Sequence, residues 1–270
     1  MPERDRIIEE IEVAAWRDQY EAVPPETAAA LGLASAELGG GLQICLRAAP
    51  VGLFNRCVGL GLDGPAGPEV LDEVARFFRD AGQPDWWVQP APFSGLPDLA
   101  AAGWRIAAPP WAKFVRGVAP PPVAATSFGI EAVGPDRAGD FADAVVAGYD
   151  VPDLFRPWLV ALVGRQGWTT YVARDGGAGG TAVAAGAMYR HGDAAWLGIA
   201  ATRPEWRGQG AQSAILARRI ADALEAGARI LTTDTSVPKP GQTAPSYANI
   251  LRAGFTVAYL RPNLAPPAAA

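Results

Sequence analysis

Residues 196–224 read WLGIAATRPEWRGQGAQSAILARRIADAL, which parses as a strand, a glycine-bearing turn and a helix. Trp196 to Thr202 is apolar and stops just before Pro204, which predicts a strand. The turn is Arg207-Gly208-Gln209-Gly210-Ala211-Gln212. A helix is predicted from Gln212 or Ser213, because Ile215, Leu216, Ile220, Ala223 and Leu224 recur at helical spacing. Two glycines permit positive φ and let a ligand approach the backbone closely. The N–H groups of such a turn converge at a helix start, where the dipole also favours an anion. A phosphate is the natural guest. Arg207 is expected to add a fixed positive charge at the rim.

On either side the pattern continues. Phe128–Val133 reads as a strand, and 136–147 and 154–163 as helices joined by the acidic loop Asp150-Val151-Pro152-Asp153. Thr169–Ala173, Val183–Tyr189 and Trp196–Thr202 read as successive antiparallel strands, with turns at Gly176-Gly177 and His191-Gly192-Asp193. Downstream come a strand at Arg229–Thr235, a Pro/Gly loop, a helix at Ser246–Ala253, a strand at Phe255–Leu260 and a loose PPAAA tail.

The turn resembles motif A of the GNAT superfamily of acetyl-CoA-dependent N-acetyltransferases, Arg/Gln-x-x-Gly-x-Gly/Ala between a strand and a helix. Arg207 and Gly210 match, and Gln212 departs, standing where the family has Gly or Ala. Pro204-Glu205-Trp206-Arg207-Gly208 looks like the family's lead-in, and residues 246–255 (SYANILRAGF) look like its final helix and Gly-Phe strand entry. The resemblance covers roughly 128–264 and implies an α/β fold, a mixed, mostly antiparallel sheet with helices on both faces.

The first half repeats the second in outline. Its predicted elements are helices at Arg4–Tyr20 and from Pro25, strands at Leu42–Arg47 and Arg56–Leu62, a helix at Glu69–Asp80, a strand at Trp86–Val88, a helix at Leu96–Ala102 and a strand at Trp111–Val115. Strand-turn-helix at 56–80 answers 196–224, and Trp111–Arg116 answers Thr256–Arg261. The expected organisation is two tandem GNAT-like domains: 1–118 degenerate, 119–126 a stiff Pro/Ala linker, and 127–270 the acetyl-CoA-binding domain. The first copy's turn, Gly61–Pro68, has no arginine, places Asp63 where phosphate would sit and loses backbone donors to prolines. It is expected not to bind CoA, and to cover an edge of the second domain or wall the acceptor site, the alternative being an inert structural relic.

Composition narrows the function. A net charge of −5 without a basic block argues against nucleic acid and anionic membrane as partners. No apolar run has the ~18–20 residues of a membrane span, and the charged start MPERDRIIEEIE does not read as a signal peptide, so a cytoplasmic location is expected. Cys45 and Cys57 lie in apolar strand-like runs and read as buried thiols. One histidine, His191, in a hairpin turn, gives no metal cluster.

By resemblance, two neighbouring strands, Trp196–Thr202 and Arg229–Thr235, splay apart to hold the pantetheine arm. Backbone groups of Ile199, Ala200, Ala201 and Thr202 would bind that arm. Those of Arg207, Gly208, Gln209, Gly210, Ala211 and Gln212, with the Ser213 hydroxyl, would take the pyrophosphate, and Asn249 would touch CoA. The implied reaction is direct transfer from acetyl-CoA, or another short acyl-CoA, to an amine of a small molecule or peptide. Ile250 stands where many members have a tyrosine acid, so Tyr247, one helical turn earlier, is the substitute acid and Asp234 the candidate base. Tyr149, Asp150, Asp153, Phe155 and Trp158 are expected to bind the acceptor, carboxylates with aromatics suiting an amine on a partly apolar body. A homodimer is compatible with this reading. Two other readings stay open: a catalytically silent acyl-CoA-binding or regulatory protein, and a paired-domain interaction module without cofactor.

Overall fold

The computed structural model describes residues 3–49, 51–177 and 179–267. The end of the expected tail, Ala268–Ala270, lies outside them. The first half contains α1 (Glu3–Glu21), α2 (Pro25–Leu31), β1 (Leu33–Leu38), β2 (Gly41–Leu46), β3 (Arg56–Val58), α3 (Val70–Asp80), β4 (Trp87–Gln89) and β5 (Arg105–Arg116). The second contains β6 (Gly129–Val133), α4 (Ala138–Tyr149), α5 (Arg156–Leu162), β7 (Trp168–Arg174), β8 (Ala182–His191), β9 (Ala194–Trp196), β10 (Ala200–Thr202), α6 (Ala211–Glu225), β11 (Ile230–Ser236), α7 (Pro245–Arg252) and β12 (Thr256–Ala265). No helix among the described residues is long and apolar enough to cross a membrane.

The expected repeat is present. In each half two parallel strands flank a helix: β3 and β4 around α3, β9 and β11 around α6. Two local expectations fail and one strand was missed. Leu96–Ala102 holds a turn from Leu99, not a helix: the Asp98 carboxylate takes the N–H groups of Ala100 (3.0 Å) and Ala101 (3.2 Å), and Gly103 ends the segment. β1 was not expected, since Ala and Ser at its alternate positions carry little strand signal. The stretch Trp196–Thr202 is two strands, broken at Gly198-Ile199. Ile199 has φ 42, and the Ala187 N–H reaches the carbonyls of both Gly198 (3.3 Å) and Ile199 (2.9 Å), a bulge that turns the chain away from β11.

All strands join one sheet in the order β1-β2-β3-β4-β12-β5-β11-β9-β8-β7-β6, with β10 also on β8. The two halves do not close separately. β5, from the first half, lies between β12 and β11, and β12, from the second, lies between β4 and β5. β5 and β12 run antiparallel, with Trp111 opposite Arg261 and Val115 opposite Thr256. The repeats thus exchange their last strands about a local pseudo-two-fold axis. Residues 117–126 hold no helix or strand, and the sheet runs across the expected boundary at 118.

α1 also belongs to both halves. Ile11, Trp16 and Tyr20 join one apolar core with Leu42 and Leu46 on one side and Phe141, Trp158 and Trp196 on the other. Polar contacts fix the crossing: Asp18 accepts from Arg165 Nε (2.6 Å) and Trp168 Nε1 (2.7 Å), and the Gln19 carbonyl accepts from Trp158 Nε1 (2.8 Å). Cys45 and Cys57 are free and buried beneath α3.

Candidate active site

The site begins where the sheet opens. The Leu197 N–H donates to the Thr232 carbonyl at 2.8 Å, continuing the short parallel pairing of β9 and β11. Beyond it β10 follows β8, while β11 stays on β5. The split thus lies between β10 and the far half of β11. The Arg203 N–H bonds the Val183 carbonyl (3.0 Å), so the alternation of the ladder turns main-chain groups of Ala200 and Thr202 away from β8 and into the split. Tyr149 Oη accepts from the Ala200 N–H (2.9 Å), and the Thr202 carbonyl accepts from Arg207 Nε (3.2 Å). Of these residues Ala200 lines the opening, while Thr202 is covered by α4, its backbone N close to Gly148.

The turn has the expected shape and an unexpected use of its arginine. Gly208 and Gly210 have φ 80 and 86, and α6 starts at Ala211, with Gly210 as its cap. The first helical bond, Ala214 N–H to the Gly210 carbonyl (3.1 Å), leaves the N–H groups of Ala211, Gln212 and Ser213 ahead of the ladder. A Cβ on Gly208 would meet open space, whereas one on Gly210 would lie 2.7 Å from the Ala125 carbonyl. Arg207 does not stand free at the rim: its guanidinium donates to the carbonyls of Thr202 and Gly148 (3.0 Å), pinning the turn to β10 and α4. Gln209 is exposed beside it, its carbonyl 3.4 Å from Thr126 Oγ1. The Gln212 amide donates to the carbonyls of Ala201 (2.6 Å) and Ala185 (3.2 Å), using the bulk that Gly or Ala would lack to tie α6 to the sheet.

Below the split lies Arg219 of α6, buried, its Nη1 donating to the carbonyls of Ala187 and Gly198 at 2.8 Å. Burial pulls its pKa down to about 10. It braces the bulge at Ile199. Nothing in the sequence marked it apart from other helix arginines.

The split opens into a cavity of about 500 Å³. At one end lie Gly198, Ile199, Ala200, Gln212, Ser246, Asn249 and Ile250; at the other, Trp16, Phe54, Trp111, Phe155, Trp158 and Trp196. Phe54 lies 5.9 Å from Phe155 and 6.1 Å from Trp158, and Trp16 lies 6.2 Å from Trp196, ring centre to ring centre. Arg56 is buried between the rings of Trp16 (4.9 Å) and Trp111 (5.3 Å), holding both by cation–π contact. Trp16, Phe54 and Trp111 come from the first half, which thus walls the chamber. Their place was invisible in sequence, since only the packing of α1 and the 52–54 turn onto the second half and the exchange of β5 bring them here.

The expected site residues divide. Tyr149, Phe155, Trp158, Asp234 and Asn249 reach the cavity. Asp150 and Asp153 do not: Asp150 is exposed at the end of α4 with φ 55, and the Asp153 side chain is 82% exposed, 3.6 Å from Arg156. Tyr247 is not among the cavity-lining residues either. It packs edge-on against Phe114, ring centres 5.0 Å apart, because on α7 it faces the core under that helix. Tyr149, placed in sequence with the acceptor residues, is instead the phenol at the split. The residue is 50% exposed overall; loss of water around its hydroxyl pushes the pKa up, with the Ala200 N–H acting in the opposite sense.

Asp234 lines the cavity on β11, its side chain 4% exposed. Oδ1 accepts from Trp196 Nε1 (3.2 Å), and Oδ2 lies 3.7 Å from Lys113 Nζ without a hydrogen bond. Lys113 Nζ donates to Glu12 (2.7 Å), which also receives Arg261 (2.7 and 2.8 Å) and lies 3.4 Å from Arg56, while Arg261 reaches Glu9 at 2.8 Å. Three cations and three carboxylates are thereby matched in the interior, Asp234 being the carboxylate that faces the cavity. Among the described residues no cluster of three or more His, Cys, Asp or Glu could hold a metal ion.

No family model and no curated protein matches the sequence. Solved structures do. A GCN5-related N-acetyltransferase from Kribbella flavida superposes over 100% of this chain and 97% of its own, with TM-score 0.59 at 16% identity. Another, from Sphaerobacter thermophilus, covers 77% of this chain and 70% of its own, with TM-score 0.58 at 17% identity. A tandem GNAT protein from the clavulanic acid biosynthesis pathway covers 96% and 92%, with TM-score 0.56 at 14% identity. At these identities the likeness is one of fold, and it joins the split sheet, the glycine turn and the duplicated architecture in one conclusion: the chain has the GNAT fold in its tandem-domain form.

Proposed function

We propose that the protein is an acyl-CoA-dependent N-acyltransferase, using acetyl-CoA or another short acyl-CoA and a small-molecule amine. The observation that carries this reading is one cavity that joins the strand split to an aromatic chamber with a single carboxylate and reaches Gln212 at the start of α6. The residues fit the donor. The N–H groups of Ala211, Gln212 and Ser213 and the open approach at Gly208 suit a pyrophosphate. The Ala200 main chain, turned away from β8, suits an extended amide-bearing arm, and Asn249 lines the same cavity. Acyl-CoA supplies an acyl group on a thioester; the amine nitrogen takes that group, CoA leaves as the thiol, and the ammonium releases one proton.

The chain's own groups do the rest. Asp234, at the chamber wall, accepts hydrogen bonds from an entering ammonium and takes or relays its proton. Tyr149 holds the proton that a departing thiolate needs, and its raised pKa keeps the phenol protonated through the neutral range. The aromatic walls exclude water and orient the amine. Closure of the chamber by α1 and the 3₁₀ turn at Gly52–Phe54 favours a small molecule over a peptide.

A second reading, an acyl-CoA-binding protein without turnover, is favoured by one observation: α7 offers Ile250 and a core-packed Tyr247 instead of a phenol at the cavity. Thermal shift with acetyl-CoA, followed by thiol release across an amine panel, tests both. Binding with turnover supports the enzyme, binding without turnover the second reading, and no binding overturns both.

A further inference from the structure

Arg219 stands outside the interior charge cluster. It is 2% exposed, and among the described residues no carboxylate pairs with it. Asp222, the acid one turn further along α6, is taken by Arg218. A buried charge without a counter-charge is costly unless dipoles or an incoming charge meet it. The fold nevertheless makes room for this one. A Cβ on Gly186 of β8 would lie 3.2 Å from the guanidinium carbon and 3.3 Å from Nε, so only glycine leaves the space free. Gly186 pairs with Ala200 across β8 and β10, which puts the guanidinium beside the strand split. There Nη1 holds the carbonyls of Ala187 and Gly198, both at 2.8 Å. Arg219, Gly198, Ile199 and Tyr149 line the same cavity.

We propose that Arg219 is a positioning residue with an electrostatic role: it fixes the bulge at Gly198-Ile199, and its unpaired charge stabilises the negative charge left on sulfur when the acyl group departs. The proposal rests on the acyl-transfer reading. In that step the amine nitrogen bonds to the acyl carbon, and the carbon–sulfur bond breaks with its electron pair on sulfur. The sulfur then takes the Tyr149 proton, and the proton lost by the amine restores it. While the charge is on sulfur, a buried cation acts on it across a low dielectric, with little reorganisation because two carbonyls already hold the guanidinium. The surrounding groups leave Arg219 as the source of that field. Tyr149 of α4 and Tyr171 of β7 are phenols raised above their ordinary value by loss of water. Asp234 on β11 faces Lys113, and Arg207 is turned to the carbonyls of Thr202 and Gly148. Arg219 itself, at about 10, stays charged through the neutral range.

The test measures the Kd of CoA and of acetyl-CoA by calorimetry on the full chain, from about pH 6.5 to about pH 9.5. The two ligands differ in one ionisable group, the thiol, so the ratio of their affinities reports on that group. A cation near sulfur favours the thiolate, and CoA should gain on acetyl-CoA by at least ~5-fold as pH rises across the range. Arg219→Gln should flatten the ratio, and Arg219→Met takes its place should the Gln variant fail to fold. Arg219→Lys, which keeps a charge, should retain the dependence; its loss there would overturn charge as the cause. Arg218→Gln, which removes the neighbouring exposed charge, should leave the ratio as in the wild type. A purely structural role would weaken both ligands alike at every pH. A ratio that is flat in the wild type, or that keeps its pH dependence in Arg219→Gln, overturns the inference. Absent binding of both ligands by the folded wild type sinks the acyl-transfer reading and this inference with it, whereas binding with a flat ratio sinks the inference alone.

Discussion

Glu12 and Arg261 stand 249 residues apart and meet in a two-pronged hydrogen bond, 2.7 and 2.8 Å, with neither side chain exposed. The pair joins the first helix to the last strand and so locks the exchanged halves. Burial by itself would raise the Glu12 pKa, but the charges of Arg261, Lys113 and Arg56, with the Arg261 hydrogen bond, overrule it and hold the carboxyl well below its usual range. A carboxyl depressed in this way adds stability that is present above its unfolded pKa and is lost as pH falls through the folded value. Denaturant melts from pH 7 down to pH 2 should therefore show a steep acid loss. Glu12→Gln should flatten that limb and cost about 3–5 kcal/mol at pH 7, because three buried cations lose a shared anion. Equal slopes in both proteins would remove Glu12 from the account.

The phosphate turn is best tested at Gly208. Gly210→Asp would strike the Ala125 carbonyl and confuse folding with binding, whereas Gly208 faces open space. Gly208→Asp places a negative charge beside the free N–H groups of α6, in a left-handed conformation that Asp tolerates better than most residues. The acetyl-CoA Kd should rise ~30-fold, about 2 kcal/mol, with little change in Tm. Unchanged affinity in the folded variant would take the pyrophosphate away from this turn.

Turnover should separate the hydroxyls. Tyr149→Phe removes the phenol that meets the Ala200 N–H, and it should lower kcat ~10- to 100-fold while acetyl-CoA binding stays within a few-fold. Tyr247→Phe should leave kcat unchanged, since that ring packs on Phe114. With a phenol pKa raised by burial, the wild-type rate should not fall on the alkaline side until pH passes the ordinary phenol value of 10. A reversed ranking of the two variants would return the acid role to α7.

Asp234→Asn should cut kcat ~10²-fold or more with acetyl-CoA affinity intact, the loss expected for one acid–base group. Full turnover of the variant across the pH range would make Asp234 a structural partner of Lys113 alone.

The exchanged strands make a prediction about fragments. A chain ending at Val118 keeps β5 but lacks both of its neighbours, β11 and β12, and leaves an open edge on β4. It should aggregate or stay unfolded when made alone. Co-expression with 119–270 should restore a soluble pair that binds acetyl-CoA. A well-folded monomeric 1–118 fragment would show that the exchange is dispensable.

Much was legible in the chain because it depends on local chemistry. The Gly208/Gly210 turn, the amphipathic α6 and the parallel strands around it follow from glycine conformation and helical spacing within some forty residues. The weaker copy at 56–89 repeats the same local pattern, so duplication was readable as well. What the sequence could not carry is whatever depends on which strand lies beside which. Lys113 and Arg261 looked like ordinary charges in apolar strands, and Trp16 and Gln19 like the inner face of one more helix. Exchange of β5 and β12 brings the first two together around Glu12, and α1 crossing onto β8 and β9 carries the other two to the chamber. Tyr149 and Tyr247 change roles for the same reason: side-chain type is local, but the cavity each side chain faces is set by packing among distant segments. Composition and spacing determined the turn and the repeat; tertiary packing alone decided the chamber wall, because its surfaces come from residues more than a hundred positions apart.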